Sequence, residues 1–489
     1  MTARRIGLFL GPLAFALTII STAPAGMSAQ AWLVAGLVVW MAAWWMTEAV
    51  PLSVTALLPF IVLPLGGVMD ARDTASAYYA PILFLLLGGA FLALAIERTG
   101  LHRRLSLAIL NRVGADAGSF RLLLAFMASA ALLSMLISNT STALIMMPMA
   151  LAVLAGGQTG ASVSAEGATS SGGLVADTAP MTEGFHGALP MGIAFAASIG
   201  GLGTIVGSPT NGIAVQLLDD MIGLQISFAR WMVYGLPIVI VGVPVAALII
   251  ARVQRIAAHP FDVASAQKAI SDNAPWSPAE RRLVPIIALA FVLWMTRRWV
   301  SPYLPPDSWT DGTIAIIAAV ALFLVPDGSG RPLLKWSEAD RAPWGVILMF
   351  GGGLALAAGM QASGLAEWLG AALLPLDAIP LFAIGLAVVT LVVLITEFAS
   401  NVATASAIIP IVASLAAALG LGADAILIAM PAALAASWGF ILPAGTGPNA
   451  IAWATGRLRI GRLVRAGLVL DAIGIVLIVA IVWAMARIA

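Results

Sequence analysis

Long apolar runs separated by short polar stretches fill the chain, at residues 6–24, 31–48, 52–68, 79–97, 120–137, 140–154, 186–206, 231–251, 283–300, 311–326, 343–360, 378–399, 402–419, 424–443 and 464–486. A helix needs about 17 to 25 apolar residues to cross the hydrocarbon core. The pattern therefore predicts an all-α polytopic membrane protein. Two neighbouring pairs of runs are divided by very little. Ser138, Asn139, Thr140, Ser141 and Thr142 interrupt the first pair, 120–154, and Ser400 and Asn401 the second, 378–419. Irregular backbone at membrane depth survives only where protein or a water-filled cavity satisfies its polar groups. Both pairs are read as re-entrant hairpins, and 186–218 and 424–456 as single helices interrupted midway. About eleven spans then remain. Leu101–Val113 mixes apolar and basic positions and is read as an interfacial helix.

The interruptions recur. "SNTSTALIMMP" at 138–148 matches "SNVATASAIIP" 262 positions further on, and "LLLGGAFLALAIERTGL" from 85 resembles "LMFGGGLALAAGMQASGL" from 348. "GSPTN" at 207–211 resembles "GTGPN" at 445–449. Three elements in the same order predict two repeats. Residues 1–30 form an N-terminal transmembrane helix. Residues 31–252 are the first repeat, with scaffold helices to about 115 and a hairpin and interrupted helix over 120–252. Residues 253–282 are a cytoplasmic linker. Residues 283–489 are the second repeat, with scaffold helices to about 372 and the hairpin and interrupted helix over 378–489. The Gly/Ser/Ala-rich stretch 155–184 is read as a flexible loop.

Charge supplies the orientation. Only 10% of the 489 residues are charged and 61% are hydrophobic. A soluble domain carries about a quarter charged residues. No Lys or Arg occurs from Leu122 to Ala229 or from Ala342 to Gly456. The basic clusters around Arg4, Arg103, Arg255, Arg331 and Arg459 are assigned to the cytoplasm by the positive-inside rule. That assignment places the N-terminus inside and the C-terminus outside, so the two repeats are inverted. Arg297 and Arg298 fall on the outer side and count against it. The first apolar run follows a basic start and could be a signal peptide, but no convincing cleavage site precedes the next span. Cys is absent, which removes disulfide and thiol chemistry.

Inverted repeats with broken helices place a binding site near the midplane. Hydroxyl, amide and freed carbonyl oxygens suit Na⁺, while half-helix N-termini suit an anion. With no Arg or Lys near the breaks, an anion would depend on helix ends, neutral donors and co-bound cations. A single Ser-Asn-Thr in a membrane helix is often interhelical glue; two copies in register argue for a site. Glu397 is read either as a proton site or as a structural partner of the tip. Asp471 is read as structural, near the cytoplasmic interface. His102, His186 and His259 sit in loops or at helix ends. No His-Glu-x-x-His or Gly-x-Ser-x-Gly motif is present, which weakens an intramembrane enzyme. A continuous channel suits inverted hairpins less well than alternating access.

"EAVPLSVTALLPFIVLPLGG" (48–67), "SNT" (138–140), "TEFASN" (396–401) and "PAGTGPNAIAWA" (443–454) resemble the divalent anion:sodium symporters, over nearly the whole chain. That family transports dicarboxylates, citrate or sulfate with sodium. The resemblance implies eleven spans, two hairpins, a homodimer in the inner membrane, an elevator mechanism, and Na⁺ as the co-transported ion in two or more sites. It implies a first sodium site at Ser134, Ser138, Asn139 and Gly207, and a second at Thr396, Ala399, Asn401 and Gly445. Ser138, Asn139, Thr140, Ser208, Pro209, Ser400, Asn401, Val402, Thr446 and Gly447 would bind the substrate. A C4-dicarboxylate (succinate, malate or fumarate) is the expected anion. Citrate or sulfate, and proton-coupled or exchange transport, are the alternatives. Two departures from symmetry stand out: Val402 occupies the position of Thr140, and Gly447 that of Pro209.

Overall fold

The computed structural model describes residues 3–112, 118–162, 182–259, 261–268 and 275–488. Among them the regular structure is helical, apart from one isolated bridge between Pro326 and Pro332. The chain begins with α1 (Ala3–Ile20), α2 (Ala29–Thr47), α3 (Leu52–Thr55), α4 (Leu58–Leu65), α5 (Ala71–Ala77), α6 (Pro81–Thr99) and α7 (Leu101–Leu110). There follow α8 (Ser119–Ser134), α9 (Asn139–Ser162), α10 (Phe185–Gly200), α11 (Pro209–Ile222), α12 (Phe228–Val253) and α13 (Val263–Lys268). The C-terminal half forms α14 (Pro278–Val300), α15 (Asp311–Leu324), α16 (Trp336–Ala339), α17 (Trp344–Ala362) and α18 (Leu365–Leu373). It ends with α19 (Leu381–Thr396), α20 (Asn401–Ala418), α21 (Ile426–Ala435), α22 (Gly447–Ala454) and α23 (Ile460–Ala486).

Nine helices among the described residues are long and apolar enough to cross a membrane. The protein is a multi-pass membrane protein. The first arms of the two hairpins, α8 and α19, have 16 residues each. At 1.5 Å per residue each arm reaches about 24 Å, short of the roughly 30 Å core. Both returning arms start at the tip asparagine for the same local reason. Ser138 Oγ accepts from the Ser141 N–H at 3.2 Å, and Ser400 Oγ from the Ala403 N–H at 3.2 Å. A serine in the N-cap position satisfies an otherwise unpaired amide and fixes where the helix begins.

The interrupted helices break by similar means. α10 is buried along its whole length and passes through two 3₁₀ turns, Gly201–Gly203 and Ile205–Gly207, before α11. Thr204 caps the second turn, accepting from the Gly207 N–H at 3.0 Å. α21 stops at Ala435, and Thr446 caps α22 by accepting from the Asn449 N–H at 3.3 Å. Pro209 and Pro448 stand in the first turns of α11 and α22, where a missing N–H costs nothing. α11 then lies along α20, and α22 along α9 and α10. Each broken helix thus returns onto the hairpin of the other half.

Three local features differ from the sequence expectation. The run 52–68 is split at Ala56–Leu57, because Pro59 cannot donate to the Thr55 carbonyl and the Ala56 carbonyl instead accepts from Tyr78 Oη at 2.6 Å. α9 continues to Ser162, so the expected loop starts later, and most of 155–184 lies outside the described residues. The amphipathic α18 is not singled out by the sequence pattern, although it is the repeat partner of α7. Both follow a glycine in the left-handed region, Gly100 at φ 79° and Gly364 at φ 80°, a conformation that costs glycine nothing. The linker 253–282 is described only in places and contains α13.

Ion pairs gather at helix ends. Arg98, at the end of α6, pairs with Asp327 and, at 3.3 Å, with Glu338; Arg331 holds Glu338 at 2.6 Å. The Ser329 hydroxyl and N–H, together with Arg98, hold the Asp327 carboxyl well below the usual carboxylate range. Glu183 joins Arg459 at 3.0 Å and Arg462 at 2.5 Å, tying the segment before α10 to the start of α23. Arg297, on the expected outer side, is engaged by Asp311 at 3.1 Å.

Candidate functional site

The two hairpin tips and the two helix breaks meet around one cavity of about 450 Å³. Ser138, Asn139, Thr140, Ser208, Pro209, Ser400, Asn401, Val402, Thr446 and Gly447 all line it. The residues are far apart in sequence but share a structural address. α9, α11, α20 and α22 begin at Asn139, Pro209, Asn401 and Gly447, so four helix N-termini converge on the cavity. Each carries unpaired N–H groups and the positive end of a helix dipole. The size falls within the range for small-molecule pockets, about 300–1,000 Å³.

Behind each tip, oxygens cluster. The Ser134 hydroxyl lies 2.7 Å from the Asn139 amide oxygen and 2.6 Å from the Ala197 carbonyl. The same edge of the amide is 3.2 Å from both the Gly207 and the Ala197 carbonyl oxygens. The second half repeats the hydroxyl contacts. The Thr396 hydroxyl is 2.9 Å from the Asn401 amide oxygen and 2.7 Å from the Ala436 carbonyl. A hydroxyl has one proton and can donate to only one of its two oxygen neighbours. The Asn139 amide has two ways to settle the conflict. With nitrogen inward its two hydrogens face the Gly207, Ser134 and Ala197 oxygens; with oxygen inward, four oxygens converge in a neutral set that suits a cation. Gly201 lines this amide so closely that an added Cβ would stand 2.1 Å from it.

Of the residues expected to hold sodium, Ser134, Asn139 and Gly207 are thus brought together, as are Thr396 and Asn401. Ser138 serves as the N-cap and its hydroxyl meets Ser141 Oγ at 2.9 Å. Ala399 closes the second tip through its N–H to the Ile395 carbonyl at 3.0 Å, and Gly445 packs against the Glu397 main chain. Sequence reasoning missed Ala197 and Ala436. They contribute carbonyls, so residue type says nothing, but "ASIG" at 197–200 and "ASWG" at 436–439 form a further paired motif that could have pointed to them. Among the described residues no group of three or more His, Cys, Asp or Glu is assembled, so a cation here would be held by neutral oxygens.

Glu397 has its carboxylate filled by the loop that follows α21. It accepts from the Ile441 N–H at 3.0 Å and the Leu442 N–H at 3.0 Å. Asp471, expected near the interface, is buried in α23 beside Glu397 and the Phe440 main chain. Across the cavity the halves touch directly. A Cβ added at Gly447 would stand 2.4 Å from the Thr140 hydroxyl oxygen, so the first tip can approach α22 only because that position has no side chain.

The model of the sodium:sulfate symporter transmembrane region matches residues 4–488. The chain belongs to this family. It is a transporter family, and the chain is not an enzyme. The sodium-dependent dicarboxylate transporter SdcS of Staphylococcus saprophyticus is 37% identical over 495 residues, covering 98% of this chain and 90% of its own length. The SdcS protein of Staphylococcus aureus strain MRSA252 is 36% identical over 489 residues, with 99% and 91% covered. In structure, the YdaH transporter of Alcanivorax borkumensis superposes with a TM-score of 0.57 over 100% of this chain and 98% of its own, at 16% sequence identity. That likeness concerns the fold.

Proposed function

We propose that this member of the family is a Na⁺-coupled symporter of dicarboxylates, with a C4-dicarboxylate such as succinate, malate or fumarate as cargo. The observation that carries the reading is the convergence of four helix N-termini on one cavity, backed by two oxygen clusters at Asn139 and Asn401. The N-termini supply positive potential for two carboxylates, and the clusters supply neutral oxygens for two cations. An isolated charge at membrane depth costs on the order of 2.5–3.5 kcal/mol even on the mildest insertion scale. A dianion brought there alone would meet roughly twice that. Cations bound behind the tips offset this cost, so the anion binds tightly only after them. The relatives named as sodium-dependent dicarboxylate transporters support the same cargo.

In this reading Ser134, Ser138, Asn139 and Gly207 with the Ala197 carbonyl take one Na⁺. Thr396, Ala399, Asn401 and Gly445 with the Ala436 carbonyl take the other. Ser138, Asn139, Thr140, Ser208, Pro209, Ser400, Asn401, Val402, Thr446 and Gly447 face the substrate. Cation arrival turns the Asn139 amide oxygen inward and leaves its nitrogen to the substrate side. The hairpins and broken helices move together as an elevator past the scaffold helices up to about 115 and from 283 to about 372. The protein works as a homodimer in the inner membrane, with the N-terminus cytoplasmic, the C-terminus outside, and eleven spans.

Purified protein in proteoliposomes, given labelled succinate, tests this. Uptake is expected under an inward Na⁺ gradient and not under K⁺ or a pH gradient alone. Uptake indifferent to Na⁺ would sink the symport, and full uptake by Asn139→Ala or Asn401→Ala would sink the site.

A further inference from the structure

The cavity floor is uncharged, but its rim is not. On the scaffold side it is lined by the last turns of α6 and the segment leading into α17, which bring Glu97 and Arg341 to the opening. Among the lining residues these are the anionic and the cationic side chain. Both are exposed. Their neighbours are neutralised: Arg98 pairs with Asp327 and Glu338, and Arg331 with Glu338. Glu97 and Arg341 join none of these pairs, and among the described residues no side-chain hydrogen bond holds either of them. The sequence stretch without basic residues starts at Ala342, one position after Arg341. That position lets the site remain neutral while a cation overlooks it.

We propose that Arg341 is a positioning residue that collects the dianion at the rim, before it docks on the hairpin tips, and that Glu97, which lines the same cavity, limits how long it stays. The proposal rests on the dicarboxylate reading above. A cleft with low-dielectric walls focuses the field of charges at its mouth and raises the local concentration of an oppositely charged ligand. A dianion feels the arginine with twice the strength of a monoanion, and the glutamate repels it likewise. The two side chains therefore act with opposite signs on the same step. The loop that carries Arg331, Lys335 and Arg341 belongs to the face assigned to the cytoplasm. The rim then governs release and recapture on that face alone.

The test uses the full-length protein in right-side-out and everted membrane vesicles, with succinate as probe and Na⁺ saturating. Arg341→Gln is expected to raise the half-saturating succinate concentration at the cytoplasmic face roughly three- to tenfold. Its maximal rate and its external half-saturation stay unchanged. Glu97→Gln is expected to lower the cytoplasmic value, and Arg341→Lys to keep it close to that of the parent protein. Lys335→Gln, in the same loop but off the cavity, leaves it unaltered. Raising ionic strength with choline chloride from about 10 mM to 150 mM shortens the screening length from about 30 Å to 8 Å. The difference between the parent protein and Arg341→Gln should shrink accordingly. An unchanged cytoplasmic half-saturation at low salt in Arg341→Gln, or an equal change on both faces, overturns the proposal. A shift in Arg341→Gln that Arg341→Lys does not restore would mark the arginine as structural and overturn it too. Absence of Na⁺-driven succinate uptake in the parent protein would instead defeat the transport reading, so the two failures are told apart.

Discussion

The two halves agree at the oxygen clusters and diverge immediately beside them. Ser134, Asn139 and the Ala197 carbonyl have Thr396, Asn401 and the Ala436 carbonyl as counterparts, at nearly the same separations. Next to them, each half must fasten its hairpin tip to the loop of its own broken helix, and each does so with different chemistry. In the first half the loop supplies the side chain: the Thr204 hydroxyl donates to the Met135 carbonyl at 2.6 Å. In the second the tip supplies it: Glu397, standing where Met135 does, accepts from the Ile441 and Leu442 amides. Leu442, at the position of Thr204, has no hydroxyl to offer. Geometry demands the tie, while its donor and acceptor are interchangeable. At the substrate face the halves also exchange partners, since Thr140 meets Gly447 while the other half carries Val402 and Pro209 on the same cavity.

The strongest way to break the comparison is at its common element. Asn139→Ala and Asn401→Ala should each cut Na⁺-driven succinate uptake by about 100-fold, equivalent to about 2.7 kcal/mol. A large loss in one alone would mean that only one half holds a coupling ion. Copying the first half into the second by Glu397→Met should leave the Ile441 and Leu442 amides without their acceptor. At about 1–3 kcal/mol per unsatisfied buried group, the melting temperature in detergent should fall by several degrees, whereas Met135→Leu should leave it nearly unchanged.

A Cβ at Gly447 meets the Thr140 hydroxyl, so Gly447→Ala should lower succinate uptake about tenfold. Adding Thr140→Ala should recover some of that loss, the non-additivity expected of touching residues. Pro209→Ala, its counterpart, should cost about twofold or less. Val402→Thr gives the second tip the hydroxyl of the first, and should shift the ratio of succinate to citrate transport a few-fold, read by competition. The smallest effect lies away from the site. The Asp327 carboxyl is held below its ordinary range when folded. Its contribution is complete above the unfolded carboxylate pKa of about 3.9 and is lost as pH falls below it. Melting curves from pH 5 down to pH 3 should decline less steeply in Asp327→Asn.

How much of this was legible in the sequence follows from what kind of atom does the work. The hairpins were legible because Ser138–Asn139 and Ser400–Asn401 are polar where lipid depth forbids unpaired polar groups, and because they recur in register. The helix breaks were legible because a capping hydroxyl, a proline and an asparagine follow one another within a few residues. The Ala197 and Ala436 carbonyls were hidden, since any residue carries one. The contact of Thr140 with Gly447 was hidden as well. Both positions stand out as departures from symmetry, but only folding reveals that they face each other. Arg341 escapes a linear reading because it lies just outside the apolar run, where sequence distance separates a rim from a floor. The split between α3 and α4 was within reach, from Pro59 and Pro64 inside one apolar run.

The neutrality of the donors around Asn139 and Asn401 has an electrical consequence. If hydroxyls, amides and carbonyls hold the cargo, the site adds no charge to it, and because the carrier returns to its starting position the net charge moved per cycle is that of the cargo alone. Two Na⁺ with a succinate dianion would then cross silently. One more cation would couple each cycle to about 2.3 kcal/mol per 100 mV. The ratio of current to succinate flux, recorded on a supported membrane, thereby becomes a direct count of the ions carried.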